Sequence, residues 1–116
     1  MQLEENRSMA GRIESYIHSD ILTLNKGGSL VEVTCQTDFA ARTEMFIAFA
    51  KKVARLTFAY QAGNWEQLIE HCPELAAEKE ALREALGEEV GVRRAVVFNL
   101  NDEVSCTIEK GEVEQA

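Results

Sequence analysis

Apolar and polar residues alternate along residues 12–19, with Ile13, Ser15 and Ile17 on one side, and a period of two predicts a strand. Residues 20–28 follow, ending in Asn25-Lys26-Gly27-Gly28, and read as a loop or hairpin connection. Residues 30–36 read as a second strand, antiparallel to the first. At Thr43 the period changes. Phe46, Phe49, Ala50, Val53, Leu56, Thr57 and Tyr60 recur at helical spacing and form one apolar stripe, with Thr43 as N-cap and Glu44 in the first turn. Gly63 is the expected stop. Asn64 with Gln67 resembles a capping box for a short helix carrying Trp65, Leu68 and Ile69. Pro73 opens a further helix with Leu75, Leu82 and Leu86 inward and Glu74, Glu78, Glu80 and Glu84 outward, and Gly87 closes it. Residues 90–100 form a third strand. Its Val96-Val97-Phe98 run is apolar on both faces, as in strands covered from both sides. Asn101-Asp102 is a turn signal, and residues 104–108 are candidates for a last edge strand.

The implied fold class is α+β. It is a small antiparallel sheet of three strands, or four with the last segment, with helices inserted between strands 2 and 3 and covering one face. Something must cover the other face, and a second copy of the chain is the simple answer. That places Val96, Val97 and Phe98 on a dimer or sheet face of a homodimer. Residues 1–10 read as a flexible N-terminus, 11–100 as the core module, and 101–116 as the edge strand and tail.

Charge narrows the partners. The net charge of −8 argues against a nucleic-acid binder, because phosphate-backbone contact draws on clustered Lys and Arg. It suits approach to a basic protein surface. Lys51, Lys52 and Arg55 read as a solvated helix face. The three cysteines, Cys35, Cys72 and Cys106, lie far apart without metal-ligand spacing, so no metal site is expected. Their odd number and the lack of a signal peptide fit reduced thiols in a cytoplasmic setting. No apolar run reaches the roughly 18 residues of a membrane span. His18, His71 and Cys72 form no persuasive catalytic set, so neither an enzyme with covalent chemistry of its own nor a cofactor is expected.

The candidate chemistry lies where strand gives way to helix, at Cys35-Gln36-Thr37-Asp38-Phe39-Ala40-Ala41-Arg42. A carboxylate and an aromatic ring sit side by side at a corner whose direction is fixed by rigid elements. Two readings stand from the residues alone. In one, Asp38 caps the next helix and Phe39 anchors the core. In the other, the pair faces a partner protein. Thr37 caps or shapes the corner, Arg42 could serve either role, and Cys35 reads as a small buried residue. Leu86-Gly87 is open in the same way, as a plain helix terminus or a contact surface.

Val31-Glu32-Val33-Thr34-Cys35-Gln36-Thr37-Asp38-Phe39-Ala40-Ala41-Arg42 resembles the signature of the elongation factor Ts family. Ser15-Tyr16-Ile17-His18 resembles that family's preceding strand. Phe46, Phe49-Ala50 and Val53-Ala54 resemble its following helix, and the run from Leu86 to Arg94 resembles its later Ile-Gly-Glu-Asn segment. The matches come in family order over roughly residues 11–100. Ala40 and Thr43 depart mildly from the family's usual Val and Asn.

The resemblance implies a guanine-nucleotide exchange factor acting on elongation factor Tu, met GDP-bound and left nucleotide-free. Phe39 would be the wedge near the magnesium and phosphate site, with Asp38 as its polar companion. Leu86 and Gly87 would press on the same nucleotide domain, while salt-bridging duty suits Arg93 and Arg94 better. The alternative is a module that docks on elongation factor Tu to recruit or inhibit it without exchange. The resemblance also implies a single core module, without the family's N-terminal ubiquitin-associated-like module and second core half, pairing as a homodimer.

Overall fold

The computed structural model describes residues 9–100. The elements run β1 (Ala10–His18), β2 (Gly27–Cys35), α1 (Asp38–Ala41), α2 (Glu44–Tyr60), α3 (Trp65–His71), α4 (Glu74–Leu86) and β3 (Gly91–Asn99). The expected α+β architecture is present: a three-stranded antiparallel sheet in the order β1-β2-β3, with the helices between the second and third strands. The fourth strand expected at residues 104–108 lies outside the described residues, as do Cys106 and residues 1–8.

One face of β2 carries the core. Ser29, Val31, Val33 and Cys35 are buried under α2, whose Phe46, Phe49, Ala50, Val53 and Thr57 are buried in turn. Leu68 from α3 and Leu75 and Leu82 from α4 complete the cluster. Each fully buried large apolar side chain contributes about 1.5–3 kcal/mol. The buried Ser29 hydroxyl donates to the Ala54 carbonyl at 2.6 Å, which satisfies the hydroxyl and ties β2 to α2.

Several boundaries differ from the pattern-based expectation. Gly27 and Gly28 belong to β2 instead of the preceding loop. Both neighbours crowd the central strand there: a Cβ on Gly28 would lie 2.5 Å from the Tyr16 carbonyl oxygen, and one on Gly27 would lie 2.8 Å from that of Phe98. Helix α2 ends at Gln61 in the left-handed conformation (φ 53°), two residues before the expected Gly63, with the Ala62 N–H donating to the Thr57 carbonyl. Tyr60, assigned to the apolar stripe, is exposed and stacks on the His71 ring at 5.1 Å. Asn64 does cap α3, accepting from the Gln67 N–H, but the Gln67 side chain returns to the Gly63 N–H instead of the cap's own.

Among the described residues, no element covers the other face of the sheet. Ile13, Ile17, Leu30, Val96 and Phe98 stand exposed on it. The Val96-Val97-Phe98 run therefore splits. Val97 pairs with buried Ser29 and shares its helix-covered face, so it does not belong with Val96 and Phe98. Strict alternation along a strand enforces the split, even where three consecutive residues are apolar. Near the far end a bulge between Glu32 and Val33 sets Arg93 and Arg94 against one residue, and both guanidiniums bond the Glu32 carboxylate, at 3.0 and 2.6 Å. That pairing, Arg94 foremost, holds the Glu32 carboxyl below its ordinary pKa.

Candidate functional site: the corner after the central strand

The strand does not run directly into the long helix. A single turn, α1, stands between them, and Thr37 caps it by accepting from the Ala40 N–H at 3.1 Å. Thr43 then caps α2 by accepting from the Phe46 N–H. Asp38 is therefore not the cap; it is the first residue of α1 and is exposed. Phe39 is 75% exposed and cannot be a core anchor. Behind it, Ala40 and Ala41 are buried and fasten the turn to the core. Arg42 terminates α1 through its backbone N–H, and its exposed side chain finds no ion-pair partner among the described residues.

A residue that pattern reading passed over sets the aim of the corner. Glu88 lies just past the end of α4. Its Oε1 accepts from the Gln36 N–H at 2.9 Å and the Thr37 N–H at 3.0 Å, while its Oε2 accepts from the Thr37 hydroxyl at 2.6 Å. The contact is returned one residue on, where the Glu89 N–H donates to the Gln36 side-chain oxygen at 2.9 Å. The Thr37 hydroxyl is the main reason the Glu88 carboxyl stays below its ordinary pKa, and the two backbone donors add to it. Thr37 thus acts at both ends: its oxygen accepts from α1 while its proton goes to Glu88.

This clamp joins the corner to the second candidate segment. Gly87 caps α4 in the left-handed conformation (φ 73°), its N–H donating to the Arg83 carbonyl at 2.8 Å. A Cβ there would meet nothing, so glycine serves the backbone turn and not the space. Gly87 is exposed, whereas Leu86 is half-buried and packs against the core cluster. The Thr37, Asp38, Phe39 and Arg42 turn is therefore coupled through Glu88 to the Leu86-Gly87 terminus.

No group of His, Cys, Asp and Glu among the described residues could hold a metal ion. Cys35 is buried, its thiol contacts the Thr37 carbonyl at 3.2 Å, and burial pushes its pKa up, which opposes thiolate chemistry. Cys72 is also buried, and His71 is engaged with Tyr60. No helix among the described residues is long and apolar enough to cross a membrane. What the corner offers is a bare aromatic ring and a carboxylate on a braced support.

A family model described as elongation factor TS matches residues 36–108, a span that begins at the corner. Elongation factor Ts of Clostridium botulinum (strain Alaska E43) is 33% identical over 126 aligned residues, covering 90% of this chain and 40% of the relative. Elongation factor Ts of Nitrosospira multiformis is 37% identical over 91 residues, covering 73% of this chain and 30% of the relative. That of Photorhabdus laumondii is 36% identical over 91 residues, covering 77% and 31%. The chain thus spans well under half the length of these relatives.

Proposed function

This chain belongs to the elongation factor Ts family, and from that premise we propose that it is a guanine-nucleotide exchange factor for elongation factor Tu. It meets the GDP-bound protein, presses the Asp38-Phe39 corner against the nucleotide domain near the magnesium and phosphate site, and leaves the nucleotide-free form. Arg42 and the Leu86-Gly87 terminus border the same contact, with Thr37 holding the turn from behind. The reaction involves no covalent step by this chain. A partner that prefers the nucleotide-poor state weakens nucleotide binding by the same factor. The reading is carried by one observation: Phe39 stands 75% exposed on a turn braced from a distant loop by Glu88. Leaving a phenylalanine in water forgoes about 1.5–3 kcal/mol that a partner can recover.

The test is release of a fluorescent GDP analogue from elongation factor Tu with and without this chain. Accelerated release supports exchange. Measurable binding with unchanged release overturns it and leaves a docking role that recruits or inhibits.

We further propose that the protein works in the cytoplasm as a homodimer whose contact is the open sheet face, with Ile13, Ile17, Leu30, Val96 and Phe98 turned toward the second copy. Five large apolar side chains exposed on one flat face form a patch of the kind that marks association. Sedimentation of Phe98→Asp beside the unaltered chain checks this. A monomeric variant and a dimeric parent are expected.

A further inference from the structure

At the opposite end of β2 from the corner, residues 19–26 form a tight hairpin tip. It carries Ile21, Leu22 and Leu24, which are 97%, 91% and 77% exposed. Such side chains usually mark a floppy loop, yet this backbone is fixed. Asp20 Oδ1 accepts from the Leu22 N–H at 3.0 Å and the Thr23 N–H at 2.7 Å, and Oδ2 pairs with Lys26 at 2.8 Å. The Ser19 hydroxyl accepts from the Asn25 N–H at 2.7 Å, and Asn25 takes the left-handed conformation (φ 53°) that completes the turn. Three aliphatic side chains are thus held out into water on a preformed support.

The same end of the molecule holds a concave counterpart. On the open sheet face, Gly28 lies between Ile17 of β1 and Phe98 of β3, with the Ile17 side chain leaning over it and Phe98 standing exposed on the other side. The result is a pocket of about 620 Å³ lined by Ile17, Gly28, Leu30, Phe98 and Leu100. Asn25 and Lys26 at the base of the tip form part of its wall, but the tip's own Ile21, Leu22 and Leu24 do not fill it, because they remain in solvent.

Area decides the occupant. Three strands about 4.8 Å apart and about 30 Å long present on the order of 400 Å² of sheet. A stable interface needs about 800 Å² from each partner. The tip and pocket are the apolar features that adjoin the flat face and extend the area it offers a second copy. In a two-fold pair each contact occurs twice, so a finger and a hole on one chain satisfy each other and close the assembly. A rigid finger also loses little freedom on docking.

We propose that the hairpin tip of one protomer, with Leu22 foremost, docks in the Gly28-floored pocket of a second copy, and that this reciprocal contact sets the strength of the dimer. The inference rests on the homodimer reading above. The experiment is sedimentation equilibrium of the full chain, of a variant carrying Ile21→Asn, Leu22→Asn and Leu24→Asn, and of Phe98→Asp. The tip variant should dissociate at least about 100-fold more readily, and its melting temperature should match the parent's when both are measured dilute enough to be monomeric, since these side chains lie in water in the single chain. A dimer of unaltered strength in the tip variant, with Phe98→Asp monomeric, overturns the finger and leaves the sheet-face dimer standing. A monomeric parent chain overturns both. Crosslinking supplies a second readout. Leu22→Cys chains mixed with Ser15→Cys chains should form a disulfide-linked pair between the two variants. If the only linked species join like variants, the docking is refuted.

Discussion

The two ends of β2 solve one problem in different ways. Each displays apolar side chains in water, Phe39 at one end and Ile21, Leu22 and Leu24 at the other, and each is braced by a carboxylate accepting backbone N–H groups. At the hairpin the carboxylate is local. Asp20 bonds residues two and three positions ahead and pairs with Lys26 six ahead. At the corner it is remote, because Glu88 reaches partners 51 and 52 positions back. The hairpin can hold its shape whenever its own few residues do. The corner holds its shape only when α4 has packed and the loop after it has been delivered to β2. Aim at the corner is thus a property of the whole fold, and aim at the hairpin is a property of a turn.

Substitutions can break that contrast, and the largest effect is expected at Phe39. Phe39→Ala should lower stimulated nucleotide release roughly 10- to 100-fold, the loss of one buried ring at the contact. Its melting temperature should match the parent, because the ring is exposed in the free protein. Next comes Glu88→Ala. Misplacing a contact group by a fraction of an ångström reduces a rate steeply, so stimulated release at saturating chain should fall about three- to tenfold. Amide hydrogen exchange at Gln36 and Thr37 should accelerate, while the hairpin amides stay as they were. Asp20→Ala is the mirror experiment and smaller. The Leu22 and Thr23 amides should exchange faster, dimerisation should weaken a few-fold, and release per protomer should be unaffected.

The smallest effect concerns pH and sharpens the comparison further. Both braces are carboxylates with depressed pKa values in the folded chain. Asp20 falls from 3.8 to about 2, chiefly through its bond to Lys26, and Glu88 is lowered from 4.5 chiefly through the Thr37 hydroxyl. A depressed carboxyl contributes its stabilisation fully above its unfolded value and loses it as pH falls through the folded value. Both braces should therefore be intact at neutral pH. On acidification they should loosen below the ordinary carboxylate range, with the Asp20 brace persisting toward pH 2. Amide exchange at Thr37 and Thr23 between pH 6 and about 2, corrected for intrinsic rates, reports each brace separately.

What the sequence disclosed follows the same division between local and remote. The caps at Thr43 and Asn64, the buried stripe from Phe46 to Val53, and the Gly87 terminus were legible because each is written within a few consecutive residues. Gly27-Gly28 was misread for an instructive reason. The pair is an ordinary loop signal, but here glycine is required by neighbouring strands that leave no room for a Cβ. The left-handed end of α2 falls on Gln61, a residue with no turn preference to betray it. The faces of Val96 and Val97 were hidden because three apolar residues in a row carry no alternation to read. Glu88 was invisible for the strongest reason: its partners are defined only once the chain has folded. Its place in the matched Leu86–Arg94 segment was a signal, but one without a role until the distances were known.

The central claim is that Phe39, braced by the fold, drives nucleotide release. The most direct measurement is stopped-flow release of a fluorescent GDP analogue from elongation factor Tu over a range of chain concentrations, with the parent and Phe39→Ala compared. The release rate is expected to climb to a plateau with the parent, and to a plateau at least about tenfold lower with Phe39→Ala while the melting temperature is unchanged. A Phe39→Ala chain that reaches the parent's plateau would contradict the wedge and move the action elsewhere on the surface.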